Sequence, residues 1–368
     1  MNLVERLLIS SKHEEPDKVP FVPLAYSLLL KSYACVREAS YYEDLSLQLK
    51  CKLAFIDRFP EIICPWGSDF VFPEVGGVGL IPTAFGGRIT WIADAPPWVS
   101  EYPIKNVEDI ERIISLGIPD PKKIGISAHF LEALRYFYDW FPKDVRKRYE
   151  YIDGNVGESL LIEGAMLSMG YDKFFVFMFQ YPKELHRFLD LVTKWFLEFY
   201  RNVEEITGEP KYVYMPDHSP SFVSKDQFLE FILPYMNRVW DHYQGVLKRG
   251  GLRIWHNEGK VSHMLDAIDK INAEVWQFGA FEDPVACKKN THFCLMGNLH
   301  PPGILLKGTP KEVFEYTKEL IFKVGGGGGL WVSSGGGIAP DTPFENLEAV
   351  LKAIEEFGRY PLKQFSRK

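Results

Sequence analysis

Leu252-Arg253-Ile254-Trp255-His256-Asn257-Glu258-Gly259 is a short, largely apolar run that ends in an imidazole and a carboxylate, with a glycine turn behind them. A strand alternates its faces, so residues two apart project the same way. His256 and Glu258 therefore aim at one point, which suits a metal ion or a proton-transfer site. The form recurs. Phe21 to Tyr26, Ile62 to Cys64, Tyr149 to Ile152, Tyr212 to Met215, Glu274 to Phe278, Phe293 to Met296 and Leu330 to Val332 are short runs, most of them apolar and bounded by Gly, Pro, Asp or Asn. Such runs are expected of parallel strands buried on both faces.

Amphipathic helices lie between the runs. Thr309-Pro310-Lys311-Glu312, Thr342-Pro343-Phe344-Glu345 and Ser224-Lys225-Asp226-Gln227 each place a capping hydroxyl three residues before a glutamate or glutamine. Leu347, Val350, Leu351 and Ile354 form a stripe of helical period, which predicts an outer packing helix. Strand–helix alternation implies a parallel α/β sheet, and about eight strand candidates favour a closed (β/α)8 TIM barrel over an open doubly wound sheet. Residues 1–368 read as one barrel domain with an N-terminal helical extension, Met1 to Lys12. Phe130 to Trp140 reads as an ordinary amphipathic helix and Ala95-Pro96-Pro97 as loop punctuation. The pentaglycine Gly325 to Gly329 lacks the Lys-Ser/Thr of a phosphate-binding loop and precedes a strand, so it reads as a flexible loop.

Composition sets outer bounds. A net charge of −7 with no basic stripe argues against a nucleic-acid surface. The apolar runs fall far short of the roughly 20 residues of a membrane span. Five cysteines without a CxxC pair suit reduced thiols in a cytoplasmic protein. Hydrophobic residues, at 46 %, are ample for one large core.

In a (β/α)8 barrel the chemistry sits where strands end. Those ends carry Asp69, Asp153, Asp217 with His218, then His256, Asn257 and Glu258, Asn298 with His300, and Ser333 with Ser334. Each has a plain structural alternative. Asp217-His218-Ser219-Pro220 also reads as turn chemistry, Asp153 as a loop hydrogen-bonder, Asn298 and His300 as loop formers, and the serines beside Gly335-Gly336-Gly337 as part of a tight turn. On the functional reading, Asp69, Asp153 and Asp217 are the acid–base candidates. Asn257, Asn298, Ser333 and Ser334 are the substrate-binding candidates.

Met296-Gly297-Asn298-Leu299-His300-Pro301, Gly308-Thr309-Pro310-Lys311-Glu312-Val313, Ser333 to Pro343 with Glu345-Asn346-Leu347, and Glu14-Glu15-Pro16-Asp17-Lys18-Val19-Pro20 together resemble the uroporphyrinogen decarboxylase superfamily. The resemblance spans nearly the whole chain and implies one (β/α)8 barrel. It implies one of two chemistries. The decarboxylases hold a tetrapyrrole with N-terminal arginines and a central aspartate. Asp69 matches that aspartate, but Pro20 to Ala34 contains no arginine, and Gly336 stands at or near the place of the decarboxylase histidine. The coenzyme M methyltransferases use a His-x-Cys pair and a later Cys. Here His256 is kept, Glu258 replaces the first cysteine and Gly336 the second.

The resemblance thus points to an O-demethylase-like branch, in which His218, His256 and Glu258 would hold a zinc ion harder than a thiolate-bound one. A small methylated or methoxylated compound would exchange its methyl group with a corrinoid carried by a separate partner protein. That partner is required because the chain has no Asp-x-His-x-x-Gly corrinoid signature. A homodimer is compatible with this reading. Two alternatives stay open: a cofactor-free lyase using Asp69 and His256 on a carboxylated substrate, and a non-enzymatic carrier of a tetrapyrrole or corrinoid.

Overall fold

The computed structural model describes residues 1–24, 35–60, 72–92, 95–150 and 152–362. An antiparallel pair, β1 (Arg88–Ile92) and β2 (Ala95–Glu101), stands apart from a six-stranded parallel sheet. The sheet runs in chain order through β3 (Asn155–Val156), β4 (Tyr212–Pro216), β5 (Leu252–Asn257), β6 (Val275–Phe278), β7 (Cys294–Leu299) and β8 (Leu330–Ser334). The chain's first extended segment then takes the place beyond β8. Val22 N donates to Val332 O at 2.8 Å, and Val332 N donates to Pro20 O at 2.9 Å. A first strand lying beside the last is the wrap-around expected of the barrel. The expected strand at Ile62 to Cys64 lies outside the described residues, as do Ala25 and Tyr26.

The period of two separates two cores. Val22, Leu24, Tyr212, Tyr214, Leu252, Ile254, Val275, Cys294, Met296 and Trp331 form one buried cluster, the barrel interior. Val213, Met215, Trp255, Trp276, Leu295 and Val332 face the other way and join the larger core under the helices. The N-terminal extension closes the interior from below. Helix Leu3–Ser10 starts with a capping box between Asn2 and Glu5, and its Val4 and Leu7 belong to the interior cluster.

Several boundaries differ from the sequence expectation. Ala95-Pro96-Pro97 opens an edge strand, where a missing N–H can be tolerated. Of the expected strand Tyr149 to Ile152, the described residues Tyr149, Glu150 and Ile152 are not in a strand. Helix Lys143–Tyr149 ends there, and Glu150 and Ile152 take φ of +53° and +63°. The strand proper is Asn155–Val156, so Asp153 sits at its entry, at the end of the barrel away from the chemistry. The Thr309 and Ser224 capping boxes form. Thr342 does not cap its helix, because its hydroxyl turns back to Ala339 O at 2.8 Å. The Leu347, Val350, Leu351 and Ile354 stripe lies on helix Phe344–Phe357, with Leu347, Val350 and Ile354 buried. Phe130 to Trp140 belongs to helix Gly125–Trp140. No helix among the described residues is long and apolar enough to cross a membrane.

The pentaglycine is a pinned turn and not a loose loop. Gly327, Gly328 and Gly329 all take left-handed φ, near +70° to +76°, which side chains disfavour. That path turns the carbonyls of Val324, Gly326 and Gly328 onto the Lys288 ammonium, the last two at 2.9 and 2.7 Å. Gly329 N donates to Ser10 O at 2.9 Å, tying the turn to the plugging helix. Lys288→Met removes the shared donor and should lower stability by about 1–3 kcal/mol. A urea midpoint equal to that of the wild type would show that the carbonyl cradle contributes nothing.

Candidate active site at the barrel mouth

The residues that follow β4 set the site. Asp217 is fully buried and its carboxylate accepts from the amides of Ile162 at 2.6 Å, Glu163 at 3.3 Å and Ser219 at 3.0 Å. Its own N–H donates to His256 O at 3.0 Å, and the Trp255 indole N–H donates to Asp217 O at 3.1 Å. Burial, and then the charge of Glu163, push its carboxyl pKa up to about 6. A group sealed in this way positions its neighbours and offers no lone pair to a ligand. It joins the end of β4 to the first turn of helix Ile162–Leu167 and to β5.

Glu163 and His218 are the neighbours it positions. His218 Nδ1 lies 2.7 Å from Glu163 Oε2, the His218 backbone N–H donates to the same oxygen at 3.2 Å, and the Tyr171 hydroxyl donates to Glu163 Oε1 at 2.6 Å. Burial alone would raise the Glu163 pKa, but the His218 hydrogen bond and charge, with Tyr171, hold it below its ordinary value. Burial alone would lower the His218 pKa. The Glu163 hydrogen bond and charge, followed by Glu258 and Asp217, raise it instead. Each partner thus favours the charged form of the other. The other ring nitrogen, Nε2, is buried and has no hydrogen-bond partner among the described residues.

Next to this ring is a second imidazole. The His256 ring meets His218 edge-on, with centroids 5.0 Å apart. Burial, and then the His218 charge, drive its pKa well below the ordinary value, against a hydrogen bond with Gln277. Burial also raises the Glu258 carboxyl pKa, opposed by His218 and by the Gly337 N–H. Glu258 fills the space that Gly336 leaves. A Cβ at position 336, where φ is +127°, would lie 2.1 Å from Glu258 Oε2. Positions 258 and 336, which the sequence resemblance singled out together, therefore lie against each other.

The remaining candidates serve the backbone. Asn257 Oδ1 accepts from Ser221 Oγ at 2.9 Å and Gly259 N at 2.7 Å. Asn298 Nδ2 donates to Gly279 O at 3.2 Å and Glu282 O at 3.0 Å. Ser333 Oγ donates to Val22 O, and Ser334 Oγ accepts from Leu24 N at 3.2 Å, so both serines fasten β8 to the first strand. All four residues are buried; their contacts serve loop and strand geometry, while Asn257 Nδ2 and Asn298 Oδ1 have no partner among the described residues. Asp153 is exposed at the far end, with Arg146 Nε at 3.6 Å. Asp69 lies outside the described residues. Glu163 and Tyr171 went unread in the sequence because both sit on helices beyond a strand of only two residues. A strand placed at Asn155–Val156 would have drawn attention to the acids behind it.

The expected metal set does not assemble. Among the described residues, no three His, Cys, Asp or Glu side chains are gathered in a way that could hold a metal ion. The Nδ1 of His218 is engaged by Glu163, and Glu258 accepts from the Gly337 amide. The three side chains as placed form no metal-binding group, while His218 Nε2 stays unpartnered among the described residues. Beside them a cavity of about 220 Å³ is lined by Glu258, Ala280, Phe281, His300, Pro301 and Pro302 together with Gly335 to Gly337.

A family model described as uroporphyrinogen decarboxylase (URO-D) matches residues 4–357. The methylated-thiol–coenzyme M methyltransferase of Methanosarcina mazei is 25 % identical over 48 % of this chain and 45 % of its own, so the chain spans under half the length of that relative. A methylcobamide:CoM methyltransferase of Methanosarcina acetivorans is 22 % identical over 71 % of this chain and 72 % of its own. The uroporphyrinogen decarboxylase of Danio rerio is 22 % identical over 90 % of each chain. The solved structure of a methyltransferase from Methanosarcina mazei superposes with a TM-score of 0.74 at 21 % identity, covering 97 % of this chain and 99 % of the other, which establishes the shared barrel fold.

The contact between positions 258 and 336 makes them energetically coupled. Gly336→Ala should cost about 1–3 kcal/mol through the collision and the left-handed backbone. Glu258→Ala in that background should restore the part due to collision. A urea-unfolding double-mutant cycle reads the coupling. Strict additivity would mean that the two positions do not touch.

Proposed function

The chain belongs to the uroporphyrinogen decarboxylase family, and from that premise we propose that it is a methyltransferase, moving a methyl group between a small substrate and a corrinoid carried on a separate protein. The observation that carries this reading is the Glu163–His218 pair with an unpartnered Nε2. An ether or alcohol oxygen leaves its methyl group poorly, and one proton delivered to that oxygen removes most of the difficulty. His218 is built to deliver one proton. Its Nδ1–H is held by Glu163, so the imidazolium is oriented, and its Nε2–H is the proton to be given.

In the demethylating direction the methyl–oxygen bond breaks and its electron pair stays on oxygen. That oxygen takes the proton from His218 Nε2. The corrinoid, a co-substrate brought by its carrier, supplies the methyl acceptor. Glu163 keeps the ring in one tautomer after transfer, with its Nδ1–H still hydrogen-bonded, and Tyr171 keeps Glu163 ionised. Asp217 holds both partners in place from behind. The names of the two Methanosarcina relatives support the reaction class. Decarboxylation of a polyanionic tetrapyrrole is less well supported, because Pro20 to Ala34 carries no arginine and His218 is already paired with Glu163. This reading assigns the proton transfer to His218 and needs no metal ion for it.

The test is to mix the purified chain with cob(I)alamin and a panel of methyl ethers and alcohols, following methylcobalamin by its visible spectrum. Wild type should form it, and His218→Asn should be slower by about 10²–10⁴-fold. The rate of the demethylating direction should fall as pH rises through the His218 pKa. Because that pKa is raised, the falling limb lies above the ordinary value near 6.5. Glu163→Gln should move the limb toward lower pH. Release of carbon dioxide from uroporphyrinogen, with no methylcobalamin from any donor, would overturn the reading.

A further inference from the structure

The cavity beside Glu258 has a second wall that the proton-transfer pair does not use. Phe281 is 74 % exposed, an unusual state for a phenyl ring. It meets the His300 imidazole edge-on, with centroids 5.0 Å apart. The His300 ring is clamped from one side. A Cβ on Gly303 would fall 2.0 Å from His300 Nδ1, so glycine there leaves the room the ring occupies. His300 makes no side-chain hydrogen bond among the described residues, which leaves a ring nitrogen for an oxygen atom in the cavity. Ala280, Pro301 and Pro302 give apolar surface, and Gly335 to Gly337 complete the lining without side chains.

We propose that Phe281 and His300 form the specificity subsite of this mouth, taking a neutral single-ring compound with an oxygen substituent. The size fixes the ring count. About 220 Å³ lies below the roughly 300 Å³ at which drug-sized ligand pockets begin. The edge-on pair of rings is completed by a third flat ring, which covers the exposed face of Phe281. Charge fixes neutrality. The Glu258 carboxyl lines the same cavity and disfavours a carboxylate ligand, whereas a hydroxyl or ether oxygen accepts from His300. An oxygen held there shares the cavity with the Glu258 carboxyl. The proposal names the substrate class of the methyl transfer proposed above and rests on that reading for its use, although binding alone tests it.

The experiment is calorimetric titration of the full chain, without corrinoid, with anisole, phenol, benzoate and methanol. Anisole and phenol should bind, benzoate should not, and methanol should bind too weakly to register. His300→Ala and Phe281→Ala should each weaken anisole binding by about fivefold or more, with unchanged unfolding midpoints. Absence of ring binding, benzoate binding more tightly than phenol, or wild-type affinity in both variants would each overturn the subsite. The two readings separate cleanly. Methyl transfer from methanol with no ring binding sinks the subsite and leaves the methyltransferase. Ring binding lost in His300→Ala, with no methyl transfer from any donor, supports the subsite and sinks the methyltransferase.

Discussion

One buried carboxylate governs this barrel mouth. Asp217 gives up water entirely and receives three backbone amides in exchange, two from helix Ile162–Leu167 and one from its own loop. A buried carboxyl group is tolerated only when its lone pairs are satisfied, so the geometry around it has little freedom. The helix must begin where it does, Glu163 must occupy its second position, and His218 must follow one residue after the anchor. The Glu163–His218 pair is a consequence of that arrangement. The site is thus specified by a carboxylate that lies behind the pair it positions.

Electrostatic asymmetry follows from the same packing. Two imidazoles lie edge to face, yet the pKa of one is raised and that of the other lowered. The difference comes from partners and not from burial, which acts on both in the same direction. A carboxylate at Nδ1 decides for His218, and the charge so favoured decides against His256. Nearby groups whose pKa values are pushed apart are what acid–base chemistry at moderate pH needs.

The strand pattern was legible because parallel strands read as short apolar runs, and β4 through β8 fall where Tyr212, Leu252, Val275, Cys294 and Leu330 announce them. β3 was not legible. Two residues carry no period, and the aromatic end of helix Lys143–Tyr149 imitates a strand, which put Asp153 at the wrong end of the barrel. Within the site, His218, His256 and Glu258 were legible as residues able to do chemistry. Their relation was not, since Glu163 comes from 55 positions away and nothing in its own surroundings marks it. Asn257, Asn298, Ser333 and Ser334 show the converse. Polar residues at strand ends are as useful for satisfying loop backbone as for holding a ligand, and sequence position does not separate the two.

The barrel's closing seam also sets when it can form. Ser333 grips the carbonyl of Val22 across 311 residues of a 368-residue chain. During synthesis the first strand therefore emerges with its neighbour on one side still unmade, and its interior residues stay uncovered until β8 has left the ribosome. Helix Leu3–Ser10 waits equally long, because Ser10 binds the backbone of β8 and of the pentaglycine turn that precedes it. The plug and the seam are completed together as the last strand docks. A chain halted before Leu330 lacks both, and its first 24 residues have nothing of β8 to pair with.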